Sequence, residues 1–346
     1  MSLALISFAY PDMALWWLAL IALLGLVFLF AGGEVLTRGA VALAVNLKID
    51  PLVVGLTVVS IATSMPEFTA SLLAAGEHPG IALGNIVGSN LANTGLILGV
   101  AALLAPLRVQ LRLIEREVPI LLGATVLFGL LSMGGGFGRL EGLLLLVLVV
   151  FYLGFVVRQA RADEPKARQQ LAEGAVSMSG LSTVGALLSV AAGTLLLALG
   201  ADWLVGSGAE LALRMGVDEA FIGLTVLALG TSLPELAAAV SAVRVGQGDL
   251  CAGNIIGSNL FNLLMIGGGV AAISGIPVEP GLLRVEYLSL LLLSLLSIQV
   301  CKLTHIYTSL FKVFWELTCP LIYQPFLTGE LVYPFLLGRA FLKVVR

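Results

Sequence analysis

The sequence predicts an all-α polytopic membrane protein with about ten transmembrane helices, arranged as two inverted five-helix repeats. Three observations support this fold class. The 346-residue chain is 59% hydrophobic and only 11% charged, whereas soluble domains carry roughly 25% charged residues. Its apolar runs are long enough to cross a bilayer, which takes about 20 residues. Two polar motifs also occur twice, in the same order, in the two halves of the chain.

Charged and Pro/Gly-rich clusters divide the apolar sequence into spans. Five are expected near 15–45, 52–75, 81–105, 117–133 and 140–158, and four more near 180–212, 220–244, 250–274 and 283–300. A tenth, interrupted span is expected within 306–342. We therefore divide the chain into a first repeat (1–158), a linker (159–178) and a second repeat (179–346), whose last part (300–346) differs in composition.

The distribution of Lys and Arg predicts the orientation, because these residues collect in cytoplasmic loops. With an external N-terminus, the internal loops contain Lys48, Arg108, Arg112, Arg116, Arg158, Arg161, Lys166, Arg168, Arg244 and Lys302. The external loops then contain only Arg139, Arg214 and Arg284. The N-terminus is therefore expected outside and the linker in the cytoplasm.

The internal repeat predicts how the two halves are related. "GLTVVSIATSMPE" (55–67) matches "GLTVLALGTSLPE" (223–235) at eight of thirteen positions, and "GNIVGSNLAN" (84–93) matches "GNIIGSNLFN" (253–262) at eight of ten. Glu34 and Asp202 correspond upstream. Equivalent points are five spans apart, so the second copy enters the membrane from the opposite side. Transporters with such inverted repeats place their substrate site near the midplane, on interrupted helices.

The repeated polar residues predict a cation cage at that place. Pro66 and Pro234 break their helices and free backbone carbonyls, and Glu67 and Glu235 each follow a threonine (Thr63, Thr231) by four residues, on one predicted helix face. The same spacing separates the polar pairs of the second motif, Ser89 and Asn93, and Ser258 and Asn262. These ligands are all hard oxygens and suit Na⁺ or Ca²⁺. Cys251, Cys301 and Cys319 show no metal-ligand spacing, and His78 and His305 are isolated.

The two pairs of motifs resemble the α-repeats of the cation/calcium exchanger superfamily, and are most similar to those of prokaryotic sodium/calcium exchangers. The resemblance covers about residues 15–300. It implies a ten-helix fold in which the second, third, seventh and eighth helices bind the ions, while the long first and sixth helices slide to alternate access. It also implies exchange of Ca²⁺ for Na⁺ across a prokaryotic cell membrane, with no cofactor.

The resemblance implies a role for each matched residue. Glu67 and Glu235 correspond to the paired acidic Ca²⁺ ligands, and Thr63 and Thr231 to carbonyl ligands of the same ion. Residues around the Na⁺ positions correspond to Ser64, Ser89, Asn93, Ser232 and Ser258, and further carbonyls to Ser60 and Ala228. Many relatives have Asp where this chain has Asn262, which leaves the stoichiometry open and leaves both Na⁺ and H⁺ as counter-ions.

Three classes of function compete at this point. An antiporter is favoured by the inverted repeat and the buried carboxylates, with Ca²⁺/H⁺ exchange as its variant. A cation channel could use the glutamate pair as a selectivity ring, although one chain here supplies both halves. An intramembrane enzyme is disfavoured, because no Ser–His, paired-Asp or zinc constellation is present. The expected partners are the lipid bilayer and inorganic cations, not nucleic acid, and a monomer suffices for the site. Glu34 and Asp202 either line the access path or lie near span ends as solvated charges.

Overall fold

A computed structural model of the chain describes residues 10–75, 79–105, 110, 112–162, 180–217, 228–278 and 291–292. Some predictions lie outside these residues. They concern the tenth span (306–342), nearly all of the ninth (283–300), the first part of the seventh (220–227), most of the linker, and the residues His78, His305, Cys301 and Cys319.

The first half of the chain forms six helical segments. A short 3₁₀ turn, Tyr10–Asp12, precedes α1, Leu15–Leu47. Next come α2, Pro51–Thr63, and α3, Met65–Ala75, which meet at a bend of 43°. The helix α4 consists of Pro79–Leu91, a π-helical turn Ala92–Ile97, and Leu98–Leu104. The helix α5 begins with a π-helical turn, Leu113–Glu117, and continues as Val118–Ser132, and α6 is Arg139–Ala162.

The second half repeats this order as far as it is described. The long helix α7 is Thr183–Arg214. A short segment α8, Ala228–Gly230, is followed after a two-residue turn by α9, Leu233–Arg244. The helix α10 consists of Gly248–Phe261, a π-helical turn Asn262–Ile266, and Gly267–Ser274.

Five of the described helices are long and apolar enough to cross a membrane, and the bent pair α2–α3 would make six. The prediction of a helical, multi-span membrane protein is therefore confirmed. The arrangement of ten helices as two inverted repeats remains a prediction. The helices α1 and α7 contain 33 and 32 residues, more than the roughly 20 that a bilayer needs, so they are long in the way that the resemblance implied.

Local capping fixes several helix ends. Asp50 accepts a hydrogen bond from the Leu52 N–H over 2.9 Å, and Pro51 occupies the first helical position, where its missing N–H costs nothing. Ser182 accepts the Gly185 N–H over 3.2 Å at the start of α7. Both are N-caps of the usual kind, with a short polar side chain satisfying an otherwise unpaired donor.

Two helix boundaries differ from the predicted spans. The helix α6 continues to Ala162, so the first four residues of the predicted linker (159–178) are helical. The helix α5 begins before the predicted residue 117, at Leu113, and includes Arg116. Gln, Ala and Arg are good helix formers, and long basic side chains can reach the interface from a helix end. Polar composition alone therefore placed these ends too close to the apolar run.

The helices α1 and α7 pack against each other in antiparallel orientation. A Cβ atom built on Gly25, Gly32 or Gly39 would lie 2.8, 3.0 or 2.9 Å from the carbonyl oxygen of Gly200, Gly193 or Ala186, respectively. The number of the α7 residue falls as that of the α1 residue rises, so the helices run in opposite directions. Small residues repeated every seven positions allow the two backbones to approach this closely.

The helix α10 forms the centre of the molecule. In the most apolar 18-residue segment of α10, 89% of the residues are buried, against 28% in the corresponding segments of α1 and α6. It crosses α2 at close range: a Cβ on Gly55 would lie 2.6 Å from the Leu250 carbonyl oxygen, and one on Gly253 would lie 2.6 Å from that of Leu52. This reciprocal contact brings the two repeated motifs together at the middle of the fold.

The loops gather at two opposite ends of the helices. At one end Asn46 donates to the Leu181 carbonyl over 3.0 Å, and the Gln110 carboxamide joins Asp50 and Asp249 at 2.6 and 3.2 Å. At the other end the strand β1, Gly136–Phe137, pairs in antiparallel fashion with β2, Ile276–Pro277. This grouping agrees with the predicted alternation of loops. Which end faces the cytoplasm remains a prediction.

Candidate cation-binding site

Both copies of the first motif (55–67 and 223–235) contain a break in a membrane helix. The chain leaves helical geometry at Ser64, between α2 and α3, and at Thr231 and Ser232, between α8 and α9. Pro66 and Pro234 are each the second residue of the helix after the break. Proline is well tolerated there, and it leaves the carbonyl four residues earlier without its usual donor. Both predicted helix-breaking positions are thus at interruptions.

The break changes the predicted relation between threonine and glutamate. Thr63 is the last residue of α2, while Glu67 lies in the first turn of α3, so the two do not share one face of a continuous helix. Both are nevertheless buried, because the 43° bend turns the chain around the same interior point. The i, i+4 spacing predicted one shared helix face, and this prediction is wrong. The two residues nevertheless both lie in the buried interior.

Glu67 and Glu235 are the buried acids of the site, 1% and 0% exposed. Each lies in the first turn of a half-helix, where the positive end of the helix dipole favours a negative charge. The Ser232 hydroxyl donates to Glu67 Oε1 over 3.3 Å, and the Ser64 hydroxyl donates to Glu235 Oε1 over 3.1 Å.

Two asparagines that sequence reasoning missed hold the threonines in place. Thr63 Oγ1 donates to Asn254 Oδ1 over 3.3 Å, and Thr231 Oγ1 donates to Asn85 Oδ1 over 3.2 Å. Asn85 Nδ2 in turn donates to the Glu67 carbonyl over 3.2 Å. The signal was available, because both asparagines belong to the repeated "GNI" of the second motif, four residues before the serines.

The remaining predicted side chains project from α4 and α10. Ser89, Asn93, Ser258 and Asn262 are all buried, and Ser258 Oγ lies 3.4 Å from Thr63 Oγ1. Asn262 Nδ2 donates to Asn90 Oδ1 over 3.1 Å, a second contact that the sequence did not predict. Both helices widen into a π-helical turn here, at Ala92–Ile97 and Asn262–Ile266. Such turns often occur at functional sites.

Ser60 and Ala228 were expected to supply backbone carbonyls to the site. The structure describes Ser60 in full but only the backbone of Ala228. The Ser60 carbonyl accepts the Ser64 N–H over 3.0 Å, so one of its lone pairs is used within the helix. Its hydroxyl donates to the Gly55 and Asn254 carbonyls at 2.5 and 3.1 Å and joins α2 to α10. Ala228 begins α8, and its side chain lies outside the described residues.

Several oxygen atoms of the site have no hydrogen-bond partner among the described residues. They are Glu67 Oε2, Glu235 Oε2, Ser89 Oγ, Asn93 Oδ1 and Asn262 Oδ1. Buried polar atoms are normally paired, and an isolated buried carboxylate is costly. A cation bound among these oxygens would offset both costs. All five donors are carboxylate, hydroxyl or carboxamide oxygens, which suit a hard cation rather than zinc or copper.

Glu117 shows what a structural buried acid looks like in this chain. It is 0% exposed, like Glu235. Both of its carboxylate oxygens are used: Oε1 accepts from Arg116 Nε over 3.2 Å and Oε2 from the Tyr152 hydroxyl over 3.1 Å. The unsatisfied oxygens of Glu67 and Glu235 therefore set this pair apart from an acid that serves only packing.

The two half-helices that carry the acids, α3 and α9, differ in what packs against them among the described residues. The helix α1 lies against α9, where a Cβ on Gly33 would be 2.7 Å from the Ala237 carbonyl oxygen. The equivalent half-helix of the first motif, α3, exposes Met65 (38%) and Leu73 (52%). Leu233 and Ser241, which align with them in α9, are partly buried. The two motifs have similar sequences but different surroundings.

Comparison with known proteins identifies one matching family. A sequence model of the family described as "Sodium/calcium exchanger protein" matches residues 17–158 and 185–323. The inner membrane protein YrbG of Escherichia coli is 36% identical over 285 residues, which cover 81% of this chain and 87% of that protein. The sodium/calcium exchanger MaX1 of Methanosarcina acetivorans is 33% identical over 288 residues, covering 71% of this chain and 80% of that protein.

Solved structures show the same relationship. The sodium–calcium exchanger NCX_Mj, in crystals soaked with 2.5 mM Na⁺ and 0.1 mM Ca²⁺, superposes with a TM-score of 0.72 at 27% sequence identity. The match covers 86% of this chain and 97% of NCX_Mj.

Proposed function

The chain belongs to the sodium/calcium exchanger protein family, and from this premise we propose that it exchanges Ca²⁺ for Na⁺ by alternating access. It is a transmembrane antiporter and not an enzyme. The finer proposal is that Na⁺ and Ca²⁺ compete for overlapping oxygen sites around Glu67 and Glu235. Thr63 and Thr231 would complete the Ca²⁺ site, while the serines and asparagines of both motifs would complete the Na⁺ sites.

The observation that carries this proposal is the reciprocal pairing of Ser64 with Glu235 and of Ser232 with Glu67. Each motif supplies the hydroxyl that orients the carboxylate of the other, and each carboxylate keeps one oxygen for a ligand. Two carboxylates carry a charge of about −2, which one Ca²⁺ or two Na⁺ would neutralise. Competition between one divalent and several monovalent ions for the same charge is what exchange requires.

The packing of the two long helices supports alternating access. The antiparallel packing of α1 on α7, and the reciprocal contacts of the two motifs, are what two inverted five-helix repeats (1–158 and 179–346) would produce. In such folds one repeat moves against the other around a fixed site.

A proton is the second candidate for the counter-ion. Glu67 and Glu235 are buried, and each has one carboxylate oxygen without a partner among the described residues, so a proton could bind there in place of a metal ion. Asn262 also removes a carboxylate that many relatives have.

We place the protein in a prokaryotic cell membrane with its N-terminus outside and residues 159–178 in the cytoplasm, functional as a monomer.

The experiment that tests the function is ⁴⁵Ca²⁺ uptake into proteoliposomes loaded with Na⁺. Uptake driven by an outward Na⁺ gradient, and absent when choline replaces Na⁺, would support Na⁺/Ca²⁺ exchange. Uptake driven only by an imposed pH gradient would establish the proton alternative. Uptake that continues without any opposing gradient and does not saturate would contradict antiport.

A further inference from the structure

Each of the two long helices carries one acid far from its ends. Glu34 lies in α1 and Asp202 in α7, at equivalent positions of the two repeats and at least 12 residues from either helix end. Both acids therefore lie in the interior of an apolar helix and not in its terminal turns. A carboxylate at such depth is costly and normally has a partner or a function.

The two acids are compensated differently. Glu34 forms an ion pair with Arg38, one helical turn further on. The same alignment places Gly206 at the position that corresponds to Arg38, so α7 lacks this cation. Asp202 is partly buried, and it has no ion pair among the described residues. The second repeat therefore keeps a negative charge that the first repeat neutralises.

The space left by Gly206 is occupied by Tyr10 from the N-terminal turn. A Cβ on Gly206 would lie 2.6 Å from Tyr10 Cε2 and 2.9 Å from its hydroxyl oxygen. Arg214 holds the turn on α7 by donating to the carbonyls of Tyr10, Pro11 and Met13 at 3.1, 2.9 and 2.7 Å. Burial, and secondarily the charge of Asp202, raises the pKa of Tyr10 to about 12. The phenol therefore lies beside Asp202 without neutralising it.

Asp202 lies one helical turn from a residue that contacts the helix break of the second repeat. Val205, on the same face of α7 and one turn from Asp202, contacts Gly230, the residue before Thr231. Because α2 begins at the end of the molecule that holds Asp50, its continuation α3 runs toward the opposite end. That is also the end where Arg214 holds the N-terminal turn.

We propose that Asp202 is a recognition residue on the access path, which attracts the cation toward Glu67 and Glu235 from the end of the molecule that holds the N-terminal turn. This inference rests on the proposed function and adds a residue to it. A fixed carboxylate at the mouth of a low-dielectric cleft raises the local concentration of cations. The effect is larger for Ca²⁺ than for Na⁺, since the attraction scales with the charge of the ion. The equivalent position in α1 cannot do the same, because Arg38 neutralises Glu34.

The test is the KM for Ca²⁺ in Na⁺-loaded proteoliposomes, measured for the wild type and for Asp202→Asn. We expect the KM to rise by about three- to tenfold with the maximal rate within about twofold of wild type, because the charge acts before binding and not during translocation. Asp202→Glu should restore the KM. Raising the ionic strength from about 20 to about 300 mM with choline chloride should shrink the difference, because it shortens the Debye length from about 20 to about 6 Å.

The matched control is Glu34→Gln, which removes the equivalent carboxylate from the first repeat. An exposed, paired charge contributes little, so its KM should stay within about twofold of wild type. An unchanged KM in Asp202→Asn would overturn the inference, and so would a rise that Asp202→Glu does not restore or that ionic strength does not alter. Absence of Ca²⁺ uptake in the wild type would instead contradict the proposed function.

Discussion

Ser64 and Glu235 are 171 residues apart in the chain and are joined by a hydrogen bond of 3.1 Å in the interior of the protein. The same bond occurs in the opposite sense between Ser232 and Glu67, over 3.3 Å. Each helix break thus supplies a hydroxyl to the acid of the other. The two halves of the chain form one site, and neither half could form it alone.

This reciprocity predicts that the two serines are functionally equivalent. Ser64→Ala and Ser232→Ala should each slow Na⁺-driven Ca²⁺ uptake by about ten- to a hundredfold, since a hydrogen bond to a charged group contributes about 1.5–3 kcal/mol. Initial rates of ⁴⁵Ca²⁺ uptake measure this. The control is Ser241→Ala, in α9 but away from the break. A loss confined to one of the two serine variants would contradict the equivalence.

The two glutamates should each be indispensable. Glu67→Gln or Glu235→Gln removes one carboxylate and should lower Ca²⁺ uptake by about 100-fold or more, because losing a buried charge partner costs about 3–5 kcal/mol. The protein should still elute as a single species in detergent, because glutamine has nearly the same shape. Retained uptake in either variant would refute the assignment of the site.

Asn262 should control how many monovalent ions move per cycle. Asn262→Asp adds a negative charge beside Asn90 and should raise that number, which shifts the reversal potential measured in voltage-clamped proteoliposomes. Asn262→Ala separates the charge from the lost hydrogen bond to Asn90 Oδ1, and it should leave the reversal potential unchanged. Identical reversal potentials for Asn262→Asp and the wild type would argue against this role.

The contact between α1 and α7 should tolerate no side chain at its glycines. A Cβ on Gly193 would lie 2.5 Å from the Leu36 backbone nitrogen, whereas one on Gly208 of the same helix meets nothing within 4 Å. Gly193→Val should therefore destabilise the protein by about 1–3 kcal/mol, and Gly208→Val should not. Thermal unfolding in detergent compares the two. Equal melting temperatures would show that this contact is not tight in the membrane protein.

Much of the site could be predicted because its residues are polar and repeated. Glu67, Glu235 and their neighbouring threonines stand out in an apolar chain, where a polar residue is kept only if it has a partner. Asn85 and Asn254 were missed for a reason of the same kind. Their partners are the threonine hydroxyls in the opposite half of the chain, more than a hundred residues away. No spacing within one helix reveals such a contact.

The helix geometry shows a different limit. The spacing of Thr63 and Glu67 predicted one helix face, but the chain bends by 43° between them. The π-helical turns at Ala92–Ile97 and Asn262–Ile266 were also invisible in the sequence. Each π-helical turn contains one extra residue, which changes the direction of every following side chain. The position of such a turn depends on packing against the neighbouring helix rather than on local propensity.

The sequence by itself determined the class of protein, the two copies of each motif and the types of polar residue that they contain. Composition, motif repetition and the types of polar residue are properties of the chain alone. Only the tertiary structure decided that each serine serves the opposite glutamate, that α1 packs against α9, and that Asp202 keeps a charge which Arg38 cancels for Glu34. These features arise where the two halves meet, and nearly identical motifs acquire different surroundings there because the elements packed against them differ.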